Sequence, residues 1–464
     1  MSTTDNRHHV VIVGGGFAGL GAAIQLAKHD RVRVTLIDRD NYHQFQPLLY
    51  QVATSQIAPS DIAHSLREVF SDEENVDVKL AEIATIDPAS KTVTSSDGEQ
   101  WTGDTLVIAA GSQPNFFGTP GAPEYAFPLY SLDDATKLRS RILGIFEHVD
   151  DEPSLVDRGA LNFIIVGGGP TGVEVAGSIA DMINVMVPAE YRSVDTTAAH
   201  IHLLDFGDAL LKPFSKEAHG YAAKALSDKG VEVNLGTGVK EVASGHARLS
   251  NGSIVATRCV IWGGGIKGAT VAERNGLAEG RGGRVEVEAD LTLPGNPDVY
   301  VVGDVANIPD ADGNPLPQLG SVAQQSGTWA ADNILATLEG KERKAFGYHD
   351  KGIMAMIGRG AAIAEVGKQH HEVHGELAHM AWLGVHASLL TGSRAKFEAV
   401  INWSWNSIGK SGGPQVLDRG DAANIDWDDD PVVGPAAPAS DGPASTAASS
   451  DASPAPTPRT PPPG

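Results

Sequence analysis

Residues 8–38 read HHVVIVGGGFAGLGAAIQLAKHDRVRVTLID, and this stretch decides the fold of the first part of the chain. The apolar run Val10–Val13 does not alternate with polar residues, which is typical of a strand buried on both faces of a parallel sheet. It leads into the loop Gly14-Gly-Gly16-Phe-Ala-Gly19, and a helical stretch and a second apolar strand follow. This order predicts a βαβ unit that binds a dinucleotide at the helix N-terminus.

The glycines of this loop have separate tasks. Gly14 permits the tight turn, Gly16 lets a pyrophosphate approach the backbone, and Gly19 lets the helix pack on the strand. Asp38 ends the second strand, about 20 residues beyond the last glycine, where an acidic side chain accepts hydrogen bonds from a ribose 2′-hydroxyl. We therefore assign these four residues to cofactor binding.

The same arrangement recurs later in the chain. An apolar run, Phe163–Val166, leads into Gly167-Gly-Gly169-Pro-Thr-Gly172, and Asp205 ends the next predicted strand. This internal duplication predicts two bound dinucleotides, most economically FAD and a nicotinamide dinucleotide. Because the Asp205 carboxylate would repel a 2′-phosphate, we expect NADH to be preferred over NADPH.

Three further predicted strands end in small residues, at Gly111, Gly264 and Gly303. At such strand ends a cofactor can lie close to the backbone, so these glycines are also candidate cofactor-binding residues. Asp304 follows the third of them and is placed to bind a ribityl hydroxyl. The alternative for Asp304 is a helix N-cap or turn residue.

The composition excludes several classes of protein. A chain of 464 residues is long enough for two or three domains. Its net charge of −23 argues against a nucleic acid as the main partner. Cys259 is the single cysteine, which excludes an intrachain disulfide, an all-cysteine metal or iron–sulfur site and a redox pair of two thiols. We expect it to be a small buried apolar residue, and we predict no metal site.

The order of the motifs resembles that of the two-dinucleotide-binding-domain flavoproteins. Within them, residues 38–54 (DRDNYHQFQPLLYQVAT) resemble the signature of the type II NADH dehydrogenases, and residues 167–177 and 348–355 are similar to that family as well. The resemblance covers most of residues 8–410. It implies an α/β protein with two Rossmann-like domains, the NAD-binding domain being inserted in the FAD-binding domain. It also implies FAD-dependent oxidation of NADH with two-electron transfer to a membrane quinone and without proton pumping.

The resemblance also implies roles for particular residues. Glu174 would lie near the nicotinamide and the flavin, the alternative being an ordinary carboxylate near a helix N-terminus. Lys351 would approach the flavin. The family's quinone-site helix usually carries two glutamines four residues apart; here Gln325 matches the second, whereas Ser321 stands in place of the first. Either the quinone is bound differently or the acceptor has changed.

Two other functions therefore stay open. The first is a soluble NADH:acceptor flavin reductase with a non-quinone or protein acceptor. The second is a redox-responsive binding protein resembling the apoptosis-inducing factor, in which the reduced flavin–NAD complex changes partners. A homodimer is consistent with the resemblance alone.

The predicted domain boundaries follow the motifs and the composition. They are 8–117 for the first part of the FAD-binding domain, 118–158 for a connector and helix, 159–285 for the NAD-binding domain, 286–346 for the second part of the FAD-binding domain, 347–412 for a C-terminal interface and membrane-association segment, and 413–464 for an acidic tail rich in Pro, Ala and Ser. The composition of the tail predicts disorder.

The C-terminal segment raises the question of a membrane. No run of residues reaches the roughly 18 apolar residues of a spanning helix, and residues 377–391 are uncharged but too few. The next stretch, 394–410, has an apolar stripe at helical spacing and an excess of basic residues, which predicts an interfacial helix on anionic lipid. The alternative is a core-packing or dimer-interface helix. The polar N-terminus predicts no secretory leader, so we expect a peripheral protein at the cytoplasmic face of the cell membrane.

Overall fold

A computed structural model describes residues 6–278, 280–367 and 370–390, together with residues 401, 403, 415–418, 420 and 424–427. The strands of the three main sheets are β1 (His8–Val13), β2 (Val32–Asp38), β3 (Val76–Leu80), β4 (Thr105–Ile108), β5 (Ala126–Pro128), β6 (Asn162–Val166), β7 (His200–Asp205), β8 (Val231–Leu235), β9 (Cys259–Trp262), β10 (Thr292–Leu293), β11 (Asn296–Val301), β12 (Gly352–Gly358), β13 (Ala361–Val366) and β14 (His371–His374). The main helices are α1 (Phe17–Ala27), α2 (Leu49–Ala53), α3 (Leu132–Asp151), α4 (Pro170–Asp181), α5 (Lys216–Asp228), α6 (Gly320–Leu338) and α7 (Glu376–Leu389).

Shorter elements complete the described chain. Small sheets pair Tyr42–Gln44 with Ala63–Ser65, Ile83–Asp87 with Thr92–Ser95 and Gln100–Thr102, Ser112–Pro114 with Ile266–Gly268, Val239–Val242 with His246–Leu249 and Ile254–Ala256, and Val285–Glu286 with Ala306–Asn307. Short helices lie at Leu66–Val69, Ala122–Tyr125, Val187–Glu190 and Thr270–Arg274, and a π-helical turn, Met182–Met186, continues α4.

The first main sheet has six strands in the order β10-β11-β4-β1-β2-β3. The strand β1 pairs in parallel with β2 and β4, and Val13 at its end lies opposite Ile37 and Ile108. The last four residues of β1 are buried, as the run without alternation predicts. The loop after β1 therefore leaves the sheet between the ends of its two neighbours, which is where parallel α/β sheets bind ligands.

The second main sheet has five strands, all parallel, in the order β5-β9-β6-β7-β8. Its strands come from residues 126–262, whereas the first sheet also takes β10 and β11 from residues 292–301. The second domain is thus inserted in the first, and the predicted fold class is confirmed. We call β1–α1–β2 the first unit and β6–α4–β7 the second unit.

The two units bury their helices against different layers. In the first unit α1 packs on α6, and the absence of a side chain at Gly327 lets α6 approach the Ala18 carbonyl. In the second unit α4 packs on β12 of the antiparallel sheet β12-β13-β14, and Gly177 meets the Ile357 carbonyl. Close approach at a glycine of this kind leaves no room for a β-carbon.

The structure differs from the sequence-based expectation at the start of the C-terminal tail. Residues 415–418 and 424–427 lie against the body of the protein, where the Asn424 carbonyl accepts a hydrogen bond from Arg141 at 3.2 Å and the Asp426 carbonyl accepts one from Arg258 at 3.0 Å. The indole of Trp427 packs against the ring of His148 with the centroids 5.9 Å apart. The contact area that a tryptophan side chain supplies helps to offset the entropy cost of ordering these residues.

The C-terminal helices are described only in part. Almost all of the apolar stripe within residues 394–410, and the tail beyond residue 427, lie outside the described residues. Among the helices that the structure describes, none has the length and apolar character that crossing a membrane requires.

Candidate active site

The first glycine loop forms a cradle. Gly14 has φ +104°, and a β-carbon there would overlap the Ala109 carbonyl, while one at Gly19 would overlap the Gly14 carbonyl. At Gly16, by contrast, a β-carbon would meet nothing within 4 Å. Two glycines are thus required by protein packing and one faces open space, as expected where a phosphate must approach the backbone.

Asp38 closes one side of this cradle. Its carboxylate accepts hydrogen bonds from the amides of Gly15 and Asp40, the second at 2.8 Å, and burial raises its pKa above the ordinary value. A cavity of about 400 Å³ begins at the loop and is lined by Asp38, Arg39 and Gly111 among others. This volume lies within the range of small-molecule and cofactor sites.

A second group of polar atoms lies beside Gly111. The Ser112 hydroxyl donates to the Asp304 carboxylate at 2.9 Å and lies 2.8 Å from the Tyr130 hydroxyl, whose oxygen also accepts from the Ser112 amide at 3.0 Å. Gly303, with φ +72°, donates its amide to Ser326 on α6. Burial raises the pKa of Asp304, and its side chain bonds Ser112 rather than capping the short turn that contains it.

The second glycine loop repeats the geometry of the first. Gly167 has φ +109°, and a β-carbon there would overlap the Gly263 carbonyl. A β-carbon at Gly172 would overlap the Gly167 carbonyl, whereas one at Gly169 would meet nothing within 4 Å. Asp205 accepts hydrogen bonds from the amides of Gly168 at 2.5 Å and Gly207 at 2.6 Å.

Gly264 lies at the opposite side of the second loop, beyond the end of β9. A β-carbon there would stand 3.2 Å from the indole nitrogen of Trp262, which donates to the Asn115 carbonyl at 2.9 Å. This contact joins the second domain to the segment that follows Gly111, so the mouths of the two loops belong to neighbouring surfaces.

Glu174 lies one turn into α4, on the side that faces β12. Its side chain is only partly covered, but the carboxyl group is surrounded by protein atoms and accepts a hydrogen bond from the Met356 amide at 3.3 Å. Burial of the carboxyl raises its pKa from 4.5 to about 8, against a smaller lowering by the Met356 amide. A carboxyl group of this pKa is mainly protonated at pH 7.

The residues predicted for the acceptor lie on α6 and contact the segment that follows this helix. The Gln325 side chain donates to the His349 carbonyl at 3.0 Å and accepts from the His349 amide at 2.9 Å. Ser321, one helical turn earlier, shares a hydrogen bond of 2.9 Å with the Tyr348 hydroxyl. Lys351 is exposed in the same segment. The start of α6 therefore holds Tyr348 and His349 in place by side-chain contacts.

A second cavity, of about 360 Å³, lies between α2, the end of α4, β12 and α7; we call it the methionine cavity. Four of the six methionines of the chain line it, namely Met182, Met186, Met356 and Met380. Tyr50 lines it as well, and burial raises the pKa of this phenol well above its ordinary value, with a smaller contribution in the same direction from the charge of Glu174. The cavity is assembled from segments far apart in the chain. Tyr50 belongs to the recognised stretch 38–54, but nothing in that stretch indicates a cavity, so sequence reasoning missed it.

Cys259 is buried in β9, and burial raises the pKa of its thiol to about 12, so it is a protonated apolar residue at neutral pH. Within the part of the chain that the structure describes, no cluster of His, Cys, Asp and Glu side chains is suited to hold a metal ion.

The inserted domains and the paired cradles define a pyridine-nucleotide-dependent flavoprotein oxidoreductase. The family model for pyridine nucleotide-disulphide oxidoreductases matches residues 8–327. The type II NADH:quinone oxidoreductase Ndh of Mycobacterium tuberculosis is 37% identical over 413 residues, which cover 86% of this chain and 88% of that protein. The type II enzyme of Staphylococcus saprophyticus is 30% identical over 362 residues, covering 76% and 88%. The chain belongs to the type II NADH:quinone oxidoreductases within this family, which confirms the resemblance.

Solved structures agree on the fold. NDH2 of Plasmodium falciparum in complex with NADH superposes with a TM-score of 0.80 at 19% identity, covering 88% of this chain and all of that one. The sulfide:quinone oxidoreductase of Aquifex aeolicus gives a TM-score of 0.69 at 18% identity, covering 87% and 96%. The single buried cysteine of this chain supplies no thiol pair, so the disulphide chemistry in the family's description does not apply here.

Proposed function

We propose that the chain oxidises NADH and reduces a membrane quinone, with FAD as its redox cofactor and without proton pumping. NADH loses a hydride, which supplies two electrons and the equivalent of one proton, and with a second proton from solution the quinone becomes the quinol. The observation that carries the proposal is the repeated cradle. Because the single thiol is buried and has no second thiol to pair with, the two bound nucleotides are the groups that carry the electrons. The relatives favour this function over a soluble reductase or a redox-responsive binding protein.

The residues present fit both nucleotides, because each loop offers open space at its middle glycine and a carboxylate beside it. FAD, when bound, supplies the two-electron redox chemistry. The residues that would hold it are Gly14, Gly16, Gly19, Asp38, Gly111, Gly303, Asp304 and Lys351. The residues that would hold NADH are Gly167, Gly169, Gly172, Asp205 and Gly264.

Glu174 would act as a proton-holding group. A carboxyl of pKa about 8 binds and releases a proton near neutral pH, as a general acid or base must. Its contact with the Met356 amide fixes its orientation, and Tyr50 lies on the side of the methionine cavity. Reduction of a quinone to the quinol takes up protons, so a carboxyl on α4 that is protonated at neutral pH would supply one of them.

The acceptor site would be formed where α6 holds Tyr348 and His349. Gln325 and Ser321 lie one turn apart, and the hydroxyls of Ser321 and Tyr348 offer a donor at the place of the missing glutamine. The methionine cavity is mostly apolar, and flexible methionine side chains adapt to irregular apolar ligands. It would receive the isoprenoid tail of the quinone.

Attachment to the membrane surface would use the exposed face of α7. Leu377 and Met380 are 77% and 65% exposed, and Val385 and Leu389 continue the same apolar face. Met380 also lines the methionine cavity, so this face and the cavity are continuous. An uncharged face of this kind suits the interfacial region of a lipid bilayer at the cytoplasmic face of the cell membrane. In a homodimer the second copy would cover it instead.

The attachment is tested with anionic liposomes. The full chain is expected to sediment with them, and the double variant Leu377→Gln, Met380→Gln to stay in the supernatant. If the variant sediments as the parent does, this face does not attach the protein to lipid. If the variant only changes from dimer to monomer, the face is a dimer interface instead.

The proposed reaction is tested by stopped flow. The FAD-loaded protein is reduced anaerobically with NADH and mixed with a short-chain quinone while the flavin absorbance is followed. We expect reoxidation by the quinone to be faster than by oxygen. Reoxidation no faster than with oxygen would favour a soluble reductase, and a long-lived charge-transfer complex with slow turnover would favour a redox-responsive binding protein.

A further inference from the structure

Phe206 is an unusually exposed aromatic residue at the second cradle. It directly follows Asp205 at the end of β7, and 78% of its surface is exposed, although large apolar side chains are ordinarily buried. Its ring rests on Gly238, where a β-carbon would stand 3.3 Å from Cδ2 of the phenylalanine. The ring is therefore supported from one side by backbone while most of its surface is open.

The internal duplication says where this ring lies relative to a nucleotide. Asp38 and Asp205 occupy the same place, because each accepts a hydrogen bond from the amide of the second glycine of its loop. The residue after Asp38 is Arg39, and it lines the cavity that begins at the first loop. By the same geometry Phe206 lies at the rim of the second site, on the side of the ribose-binding acid.

We propose that Phe206 is the stacking platform for the adenine ring of NADH and a determinant of the preference for NADH over NADPH; the inference rests on the proposed function. An adenine ring offers a flat π face, and stacking on an aromatic side chain stabilises bound bases. The preference follows from charge, because a bound 2′-phosphate needs a cation beside it and a phenylalanine at this position supplies none.

The test uses ligands that contain only one end of the dinucleotide. ADP-ribose carries the adenine and lacks the nicotinamide, and reduced nicotinamide mononucleotide has the opposite composition. In the FAD-loaded protein, Phe206→Ala is expected to weaken ADP-ribose binding and to raise KM for NADH, each about tenfold, with kcat unchanged. The variant should oxidise reduced nicotinamide mononucleotide as the parent does, and Phe206→Tyr should restore ADP-ribose binding. Phe206→Arg should lower KM for NADPH.

A matched control is Phe117, which is 67% exposed and also rests on a glycine, Gly265, but on the opposite side of the second loop. Phe117→Ala is expected to leave ADP-ribose binding unchanged. The platform is overturned if Phe206→Ala changes the Kd of ADP-ribose by less than twofold, if it impairs reduced nicotinamide mononucleotide equally, or if the parent binds no ADP-ribose. Failure of the proposed function is a separate result, since it appears as absent NADH turnover in the parent while ADP-ribose binding still reports on Phe206.

Discussion

The two dinucleotide units share their loops and differ in what lies behind them. Both loops place two glycines against neighbouring backbone and leave the middle one facing open space. Both end the next strand in an aspartate that accepts a hydrogen bond from the second glycine of its loop. The shared part is the part that phosphate and ribose require, since few backbone paths allow a pyrophosphate to approach a helix N-terminus.

The difference begins one turn into the helix. Seven residues beyond the first glycine of its loop, α1 has Gly21, which faces the Gln324 carbonyl of α6, and α4 has Glu174, which accepts from the Met356 amide. The first helix therefore packs tightly on another helix, whereas the second leaves room for a carboxyl group beside β12. A duplicated binding unit has thus kept its nucleotide cradle while only one copy gained an ionisable group.

The largest expected effect comes from the glycine that ends each loop. Gly19→Ala and Gly172→Ala would each place a methyl group on a loop carbonyl, and the backbone cannot move aside as a side chain can. We expect more than about a hundredfold loss of NADH:quinone turnover in both variants. Gly19→Ala should lose its FAD, whereas Gly172→Ala should retain FAD that dithionite reduces and NADH does not. Absorbance spectra of the purified proteins separate these outcomes.

The middle glycines supply the matched controls. At Gly16 and Gly169 the backbone has an ordinary negative φ, and a β-carbon meets nothing within 4 Å. Alanine at either position should leave the unfolding midpoint of the protein unchanged and still weaken binding of its own nucleotide. If Gly169→Ala bound NADH as the parent does, or if Gly172→Ala lost FAD, the two cradles would not be independent sites.

The second prediction concerns the carboxyl group present in only one unit. The folded protein holds a proton on Glu174 up to about pH 8, while an unfolded chain releases it near pH 4.5. The folded state binds more protons in this window, so the free energy of unfolding decreases as pH rises through it, by at most about 1.4 kcal/mol per pH unit. Glu174→Gln should remove this slope, and urea unfolding between pH 5 and pH 8 measures it.

An exposed carboxyl provides the comparison for this experiment. Glu217, in the first turn of α5, is exposed, and Glu217→Gln should leave the pH dependence of unfolding as in the parent. An unchanged slope in Glu174→Gln would mean that the carboxyl ionises freely, and the proposed proton-holding role would then have no physical basis.

The sequence predicts the two units but not the contacts that join segments far apart in the chain. The strand–loop–helix order around both glycine loops follows from local rules, because the glycine spacing and the buried strand restrict the backbone on their own. The Ser112–Asp304 hydrogen bond and the methionine cavity join segments far apart in the chain. Their side chains carry no spacing signal, since they meet only after both sheets have formed.

Ser321 illustrates the same limit on a finer scale. In the sequence it is a shorter hydroxyl at a position where a glutamine is usual, which suggests a vacancy. In the structure the Tyr348 hydroxyl lies 2.9 Å from the Ser321 hydroxyl, so two hydroxyl groups lie together at this position. Position 348 was within a recognised motif, but nothing in its spacing indicates that its hydroxyl lies beside Ser321 on α6.

The smallest expected effect distinguishes the two aspartates that we propose as ribose-binding residues. Asp205→Asn keeps an acceptor for the Gly168 or Gly207 amide and removes the charge that repels a 2′-phosphate, so the ratio of kcat/KM for NADH to that for NADPH should decrease about tenfold. Asp38→Asn should lower the FAD occupancy and, once FAD is added in excess, leave this ratio unchanged. Steady-state kinetics with both nucleotides measure it. If Asp38→Asn changes this ratio, or if Asp205→Asn leaves it unchanged, the assignment of the first cradle to FAD and the second to NADH is contradicted.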